Sequence, residues 1–251
     1  VYCKKCNGVR WTKHEGKFYK GLCDCQKAEM EAEEKRKRIE AKYKSLEEMK
    51  SMCLLGKKYQ TATFDSTEII SENFEGIYNR LKKYCEEPKK RLEMGQGFYI
   101  YGEAPGTGKS HLTACVGNEL LKNEFTVMFT NFIEISNQIQ NSYAKRGIMS
   151  ELDIVNKIAS YDFLVIDDFG TEQFKKASDD TLYQQRVFDI LNKRYNKMLP
   201  TIFSSNMSIK QLVEDCGVWK KTVDRVMEMS RVVFHLEGES YRKKIRKDVD
   251  F

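Results

Sequence analysis

Gly102-Glu103-Ala104-Pro105-Gly106-Thr107-Gly108-Lys109-Ser110 fits the phosphate-loop pattern G-x-x-x-x-G-K-[ST] at every fixed position. Its flanks decide the fold. Just before it, Gly97-Phe98-Tyr99-Ile100-Tyr101 is a short apolar run that reads as a buried strand. Just after it, Leu112, Val116 and Leu120 recur on one helical stripe. Strand, Gly-rich turn and helix form the arrangement that aims backbone N–H groups and a helix N-terminus at a polyphosphate. Lys109 then reaches the outer phosphates of ATP or ADP, and the Ser110 hydroxyl holds Mg²⁺. The competing reading is a Gly-rich turn with no ligand.

Phe163-Leu164-Val165-Ile166-Asp167-Asp168 is an apolar run ending in two acids. It reads as a central parallel strand that delivers carboxylates at its C-terminal end, where α/β folds bind ligands. Asp167 holds Mg²⁺ through water, and Asp168 orients the attacking water. Alone, the segment is equally well an ordinary strand entering an acidic turn; with the phosphate loop it completes one mechanism.

Further strands are expected at Phe125–Thr130, Pro200–Asn206 and Arg231–Leu236. Helices are expected at Asn131–Arg146, Glu151–Ser160 and Asp179–Asn196, the last with Leu182, Val187, Ile190 and Leu191 on its apolar side. The alternation predicts an α/β fold, a parallel sheet with helices on both faces. Asn206, at a strand tip, is placed to bond the γ-phosphate or the lytic water, although an Asn there also suits a turn. Arg225 falls on a helix just before the last strand, where a lone Arg is usually a solvated charge.

The 251 residues suffice for one α/β domain and a small appendage. The balance of 43 basic and 37 acidic residues, +6 overall, permits nucleic-acid contact without arguing for it. No apolar run approaches the ~20 residues of a transmembrane helix, so no membrane partner is expected. The chain opens Val1-Tyr2-Cys3 with no secretion signal and no Met, which suggests a cytoplasmic protein with a trimmed start.

Cys3-x-x-Cys6 and Cys23-x-Cys25 are two close pairs that can converge on one tetrahedral Zn²⁺. Disulfides or free thiols are the alternatives, and His14 is a possible substitute ligand. The C-x-C half is tighter than the usual C-x₂-C. From Gln26 to Lys50 the chain is charged and helix-forming, with a sparse stripe of Ile39, Tyr43, Leu46 and Met49. It reads as a solvated linker helix, with a basic nucleic-acid-binding helix as the alternative. The expected domains are a zinc module over 1–25, a charged helical linker over 26–54 and an ATPase domain over 55–251.

Together these motifs resemble AAA+ P-loop ATPases, and more narrowly the bacterial helicase loaders of DnaC/DnaI type, which are related to the transposition ATPases of IstB type. The resemblance spans roughly residues 55–245. It rests on Gly102 to Leu112, on Leu164-Val-Ile-Asp-Asp-Phe-Gly-Thr-Glu-Gln173, on Asn192-Lys-Arg-Tyr-Asn196 with Leu199-Pro-Thr-Ile-Phe-Ser-Ser-Asn206, and on Asp224-Arg-Val226 before Val232 to Arg242. The cysteine pairs resemble the zinc-bearing N-terminal domain of the DnaI branch.

The resemblance implies that Gly102, Pro105, Gly106, Thr107, Gly108, Lys109, Ser110 and His111 bind nucleotide. It puts Asn206 at sensor 1, Arg225 at the arginine finger that completes a neighbouring subunit's site, and Arg242 at sensor 2. Lys145 and Arg146 fall near the region that contacts single-stranded DNA, and Thr63 and Phe64 in the segment that packs near adenine. Asp168 stands where many AAA+ proteins carry Glu, which implies slow hydrolysis. The chain ends soon after Arg242, so no full helical lid domain is expected.

The implied function is an ATP-dependent replication protein. It binds a hexameric replicative helicase, self-associates through its ATPase domain and loads the helicase onto single-stranded DNA, with hydrolysis triggering release. Two alternatives are an IstB-type transposition helper binding duplex DNA, which the cysteine module disfavours, and a nucleotide-gated adaptor with very slow hydrolysis.

Overall fold

The computed structural model describes residues 3–8, 11–14, 17–21, 23–33, 57–144, 150–170, 180–214 and 218–241. The chain divides into two compact units, Val1–Ser51 and Met52–Phe251. In the first, β1 (Trp11–His14) pairs antiparallel with β2 (Lys17–Lys20), Trp11 opposite Lys20 and His14 opposite Lys17. Helix α1 follows over 24–33, so helical structure starts inside the second cysteine pair rather than at Gln26. The stripe from Ile39 to Met49 lies outside the described residues.

The second unit is built on five parallel strands in the order β4-β5-β6-β3-β7. They are β3 (Gly97–Tyr101), β4 (Val127–Thr130), β5 (Phe163–Ile166), β6 (Thr201–Ser205) and β7 (Ser230–His235). Parallel strands covered on both faces are apolar throughout rather than alternating, and β3, β4 and β5 are buried along nearly their whole lengths. The pleat sends successive side chains to opposite faces. Phe98, Ile100, Phe163, Val165 and Ile202 enter one core with Leu81, Leu112, Val116 and Leu120. Tyr99 meets Phe203 on the other face, where Phe203 also packs on Phe169 and Phe169 on Phe132.

The helices are α2 (Lys57–Gln60), α3 (Glu72–Tyr84), α4 (Pro88–Glu93), α5 (Lys109–Lys122), α6 (Phe132–Ala144), α7 (Glu151–Ile158), α8 (Asp180–Asn196), α9 (Ile209–Glu214) and α10 (Lys220–Met229). In the second unit the expected strands and helices are present, with ends that differ by a few residues where they are described. Leu182 is a correction: it is 63% exposed instead of on the buried side of α8, whose core contacts are Val187, Ile190 and Leu191.

This order leaves β3 between β6 and β7, while the chain leaves β3 for the far edge at β4. Such a reversal opens a crevice beyond the carboxyl ends of the strands. The phosphate loop, Asp167-Asp168 and Asn206 all follow strand C-termini, so all three open on that end.

Candidate functional site

Three helix starts show how the local sequence prepares the site. Ser71 caps α3 by accepting from Phe74 N at 3.1 Å, and Ser150 and Asp153 cap α7 reciprocally. Both helices also carry acids in the first turn. α5 has neither: its cap is Gly108, at φ 103, with no side-chain bond and no acid in the first turn. Its first N–H groups and the positive end of its dipole therefore suit an external anion. A side chain at 108 would be strained by that φ, and its Cβ would lie 2.8 Å from Phe74 Cε2.

Lys109 is 5% exposed. Its Nζ donates to Gly102 O at 2.7 Å, Ala104 O at 3.0 Å and Thr107 Oγ1 at 3.2 Å. Burial lowers its pKa, and Asp168, Asp167 and Glu103 counteract that. Ser110 Oγ donates to Asp167 Oδ1 at 2.8 Å, and Ser204 Oγ donates to the same oxygen. Burial holds the Asp167 carboxyl above its ordinary value, Asp168 adds to that, and the two hydroxyls oppose it. Asp168 is exposed at φ 52, with its N–H on Ser204 Oγ at 3.2 Å. Asp is among the few residues that tolerate the left-handed region, and such conformations concentrate at functional sites.

A cavity of about 560 Å³ joins these groups, a size within the usual range for small-molecule sites. It is lined by Pro105, Gly106, Gly108, Lys109, Ser110, Asp167, Asp168 and Asn206 of the motifs, and by Tyr59, Ser66, Thr67, Glu68, Ile70, Phe74, His111 and Tyr241. His111 Nε2 lies 2.9 Å from Thr67 Oγ1, which fastens the segment before α3 to α5.

Not every expected residue lines this cavity. Gly102 and Thr107 support it from behind, as acceptors for Lys109. Phe64, in the segment expected to enter the core near the adenine, is buried edge-on against Tyr78, ring centroids 5.4 Å apart, and does not itself line the cavity; Tyr59, Ile70 and Phe74 supply the apolar wall. Thr63 Oγ1 bonds Ser66 Oγ at 2.8 Å in the turn that carries that wall. Arg225 lies outside the cavity, over the Tyr195 ring at 4.2 Å, with Nη1 2.7 Å from Glu228 Oε2. Arg242, Lys145 and Arg146 lie outside the described residues.

Two residues were not anticipated. Ser204 bridges Asp167 and Asp168. Ser205 Oγ donates to Phe169 O at 2.6 Å and accepts from Met207 N, tying the tip of β6 to the acidic turn. The available signal was two small hydroxyl residues in a buried parallel strand, where β-branched residues are the norm.

In the first unit the sulfurs of Cys3, Cys6, Cys23 and Cys25 lie within 4.8 Å of one another, and none of the four is in a disulfide. The backbone N–H groups of Lys5 and Cys6 bond the Cys3 sulfur and pull its pKa down to about 6. Four convergent soft donors, of which Cys3 and Cys23 have lowered pKa values, fit tetrahedral Zn²⁺ better than a harder cation.

Residues 95–249 match the family profile described as "IstB-like ATP binding protein". Over 202 residues the chain is 24% identical to the replicative helicase loader DnaC of Buchnera aphidicola subsp. Baizongia pistaciae, covering 78% of each chain. Over 220 residues it is 28% identical to the replicative helicase loader DnaI of Bacillus subtilis strain 168, covering 82% of this chain and 66% of the relative. The replication initiator DnaA, solved with AMPPCP and single-stranded DNA, superposes with a TM-score of 0.59 at 25% identity, covering 78% of this chain and 55% of that one. The family match spans more than half the chain, which therefore belongs to the IstB-like ATP-binding family.

Proposed function

We propose that this member of the IstB-like ATP-binding family is an ATP-dependent helicase loader, which binds a hexameric replicative helicase and places it on single-stranded DNA. The observation that carries this is the convergence of the phosphate loop, the two acids and Asn206 on one cavity. The helicase-loader names of DnaC and DnaI supply the biological context.

The residues divide the work as follows. Backbone N–H groups from Gly106 to Ser110 and the Lys109 ammonium hold the β- and γ-phosphates; phosphate oxygens take over the three acceptors Lys109 now uses. Ser110 and Asp167 already meet through oxygen, and two hard oxygen donors suit Mg²⁺, which would spread the developing phosphate charge. Asp168, exposed at the cavity edge, orients the lytic water, and its short arm makes hydrolysis slow. Asn206 bonds the γ-phosphate or that water. Arg225, outside its own cavity, serves a neighbouring copy. Arg242 takes the sensor 2 role, and Lys145 and Arg146 contact the DNA backbone.

On this reading residues 1–25 form a zinc-held grip for the helicase, residues 26–54 a linker and residues 55–251 the ATPase that self-associates. A pull-down of the replicative helicase, with ATP and with ADP, tests it. Full-length chain is expected to capture the helicase, and chain lacking residues 1–50 is expected to lose it. Failure in both nucleotide states contradicts the loader reading. The family match also favours a second reading, an IstB-type transposition helper; capture of a transposase on duplex DNA, without the helicase, is its signature. An adaptor that barely hydrolyses ATP would show nucleotide-dependent capture with no turnover to lose in Lys109→Ala.

A further inference from the structure

Besides Asp167 and Asp168, the cavity lining carries a carboxylate at Glu68. It accepts a short hydrogen bond from the Tyr241 hydroxyl. The Tyr241 backbone N–H in turn donates to Gly106 O at 3.0 Å, inside the phosphate loop. Tyr241 thus runs from the phosphate loop to Glu68, and its ring length sets their separation. Glu68 is therefore tied through one side chain to the loop that would seat the phosphates, and in a nucleotide the sugar is the group next to the phosphates.

We propose that Glu68 reads the ribose hydroxyls, and that Tyr241 is the positioning residue that aims its carboxylate. The site would then prefer ribonucleotides to deoxyribonucleotides. An ionised carboxylate accepts at several lone-pair positions, so the Tyr241 bond and a ribose hydroxyl bond are compatible. An acidic side chain on the ribose hydroxyls is a recurrent solution in nucleotide sites. Ser66 is a poorer candidate, because its hydroxyl is engaged by Thr63 Oγ1 and Thr63 O. This inference rests on the nucleotide reading of the cavity given above.

The test is direct titration of the full chain with ATP, 2′-deoxy-ATP and 3′-deoxy-ATP in the presence of Mg²⁺. Wild type is expected to bind ATP about tenfold more tightly than either deoxy analogue, the size of one hydrogen bond to a charged group. Glu68→Gln is expected to weaken ATP about tenfold and leave the deoxy analogues within about twofold, collapsing the preference. Glu68 is exposed, so this change leaves folding intact. Tyr241→Phe is expected to reduce the preference by a smaller factor without changing deoxy-analogue affinity. Wild type that binds all three equally, or Glu68→Gln that keeps the preference, overturns the ribose assignment alone. Wild type that binds none of the three overturns the nucleotide reading, and this inference with it.

Discussion

Two buried cations sit at opposite ends of the same sheet, and their partners are nearly the same. At the carboxyl end Lys109 donates to two backbone carbonyls and a threonine hydroxyl. At the amino end Arg194, fully buried in α8, donates to Tyr161 O at 2.7 Å, Pro200 O at 2.6 Å, Asp162 O at 3.3 Å and Thr201 Oγ1 at 3.0 Å. Burial pushes its pKa down to about 9, with Asp162 opposing. Neither cation bonds a carboxylate directly. The difference lies in shape and access. The planar guanidinium fixes the entries to β5 and β6 with a rigid fork, away from the cavity. The ammonium is a rotatable point charge that borders the cavity and can exchange carbonyls for phosphate. On the proposed reading, one cation serves the fold and the other the ligand.

The largest expected effect separates them on function. Lys109→Ala should lower ATP turnover by about 10³-fold, since it removes the charge facing the transferred phosphoryl group. Its thermal midpoint should stay within about 3 °C of wild type. A steady-state ATPase assay beside a melting curve checks both; a large loss of stability would blur the distinction drawn here.

Arg194→Met is the converse. Four acceptors lose the guanidinium, Pro200 O keeping a second donor in Leu164 N, and urea unfolding should show a loss of about 3 kcal/mol. Nucleotide affinity of the folded fraction should change by less than about threefold. Arg194→Lys should recover little, because an ammonium cannot span the fork. Full stability in Arg194→Lys would show that charge rather than geometry matters at that end.

Ser204→Ala sharpens the carboxyl end. It removes one of the two hydroxyls on Asp167, and turnover should fall about tenfold with nucleotide affinity little changed. Unaltered turnover would make Ser204 a packing residue only.

The smallest effect concerns pH. The Asp167 pKa in the folded chain is raised above its ordinary 3.8, chiefly by burial. The folded state then keeps a proton that the unfolded state gives up, so stability falls as pH rises through the window above 3.8. Asp167→Asn should therefore raise the thermal midpoint at pH 7 by about 2 °C, with the gain vanishing below pH 3.8. A lower midpoint in the variant at pH 7 would reverse the sign of this argument.

The carboxyl end was the more legible of the two. Gly108-Lys109-Ser110 and Val165-Ile166-Asp167-Asp168 declare their strands and turns together, because phosphate chemistry restricts which residues fit. Arg194 could not be read in the same way: within Asn192-Lys-Arg-Tyr-Asn196 nothing separates a buried Arg from a solvated one until tertiary contacts form. Helix α3 was not anticipated, since Phe74, Ile77 and Leu81 are sparse among charged neighbours, although they recur at helical spacing. That the Phe64 segment enters the core was legible, but its fastening was not: the Tyr78 hydroxyl donates to Phe64 O at 3.0 Å, a contact that forms only once α3 is in place. The four cysteines were legible as two close pairs, since each spacing keeps two sulfurs near one another, whereas the meeting of the two pairs is set by the fold between them.

On the proposed reading, one ATP is shared by Lys109 of one copy and Arg225 of the next. Mixing tests it most directly. Lys109→Ala and Arg225→Ala are each prepared alone, then combined in equal amounts at a concentration where wild type is fully active. Each variant alone should be inactive. The mixture should regain about a quarter of wild-type turnover, because random assembly restores one interface in four. A mixture that stays at the level of the separate variants contradicts the shared site.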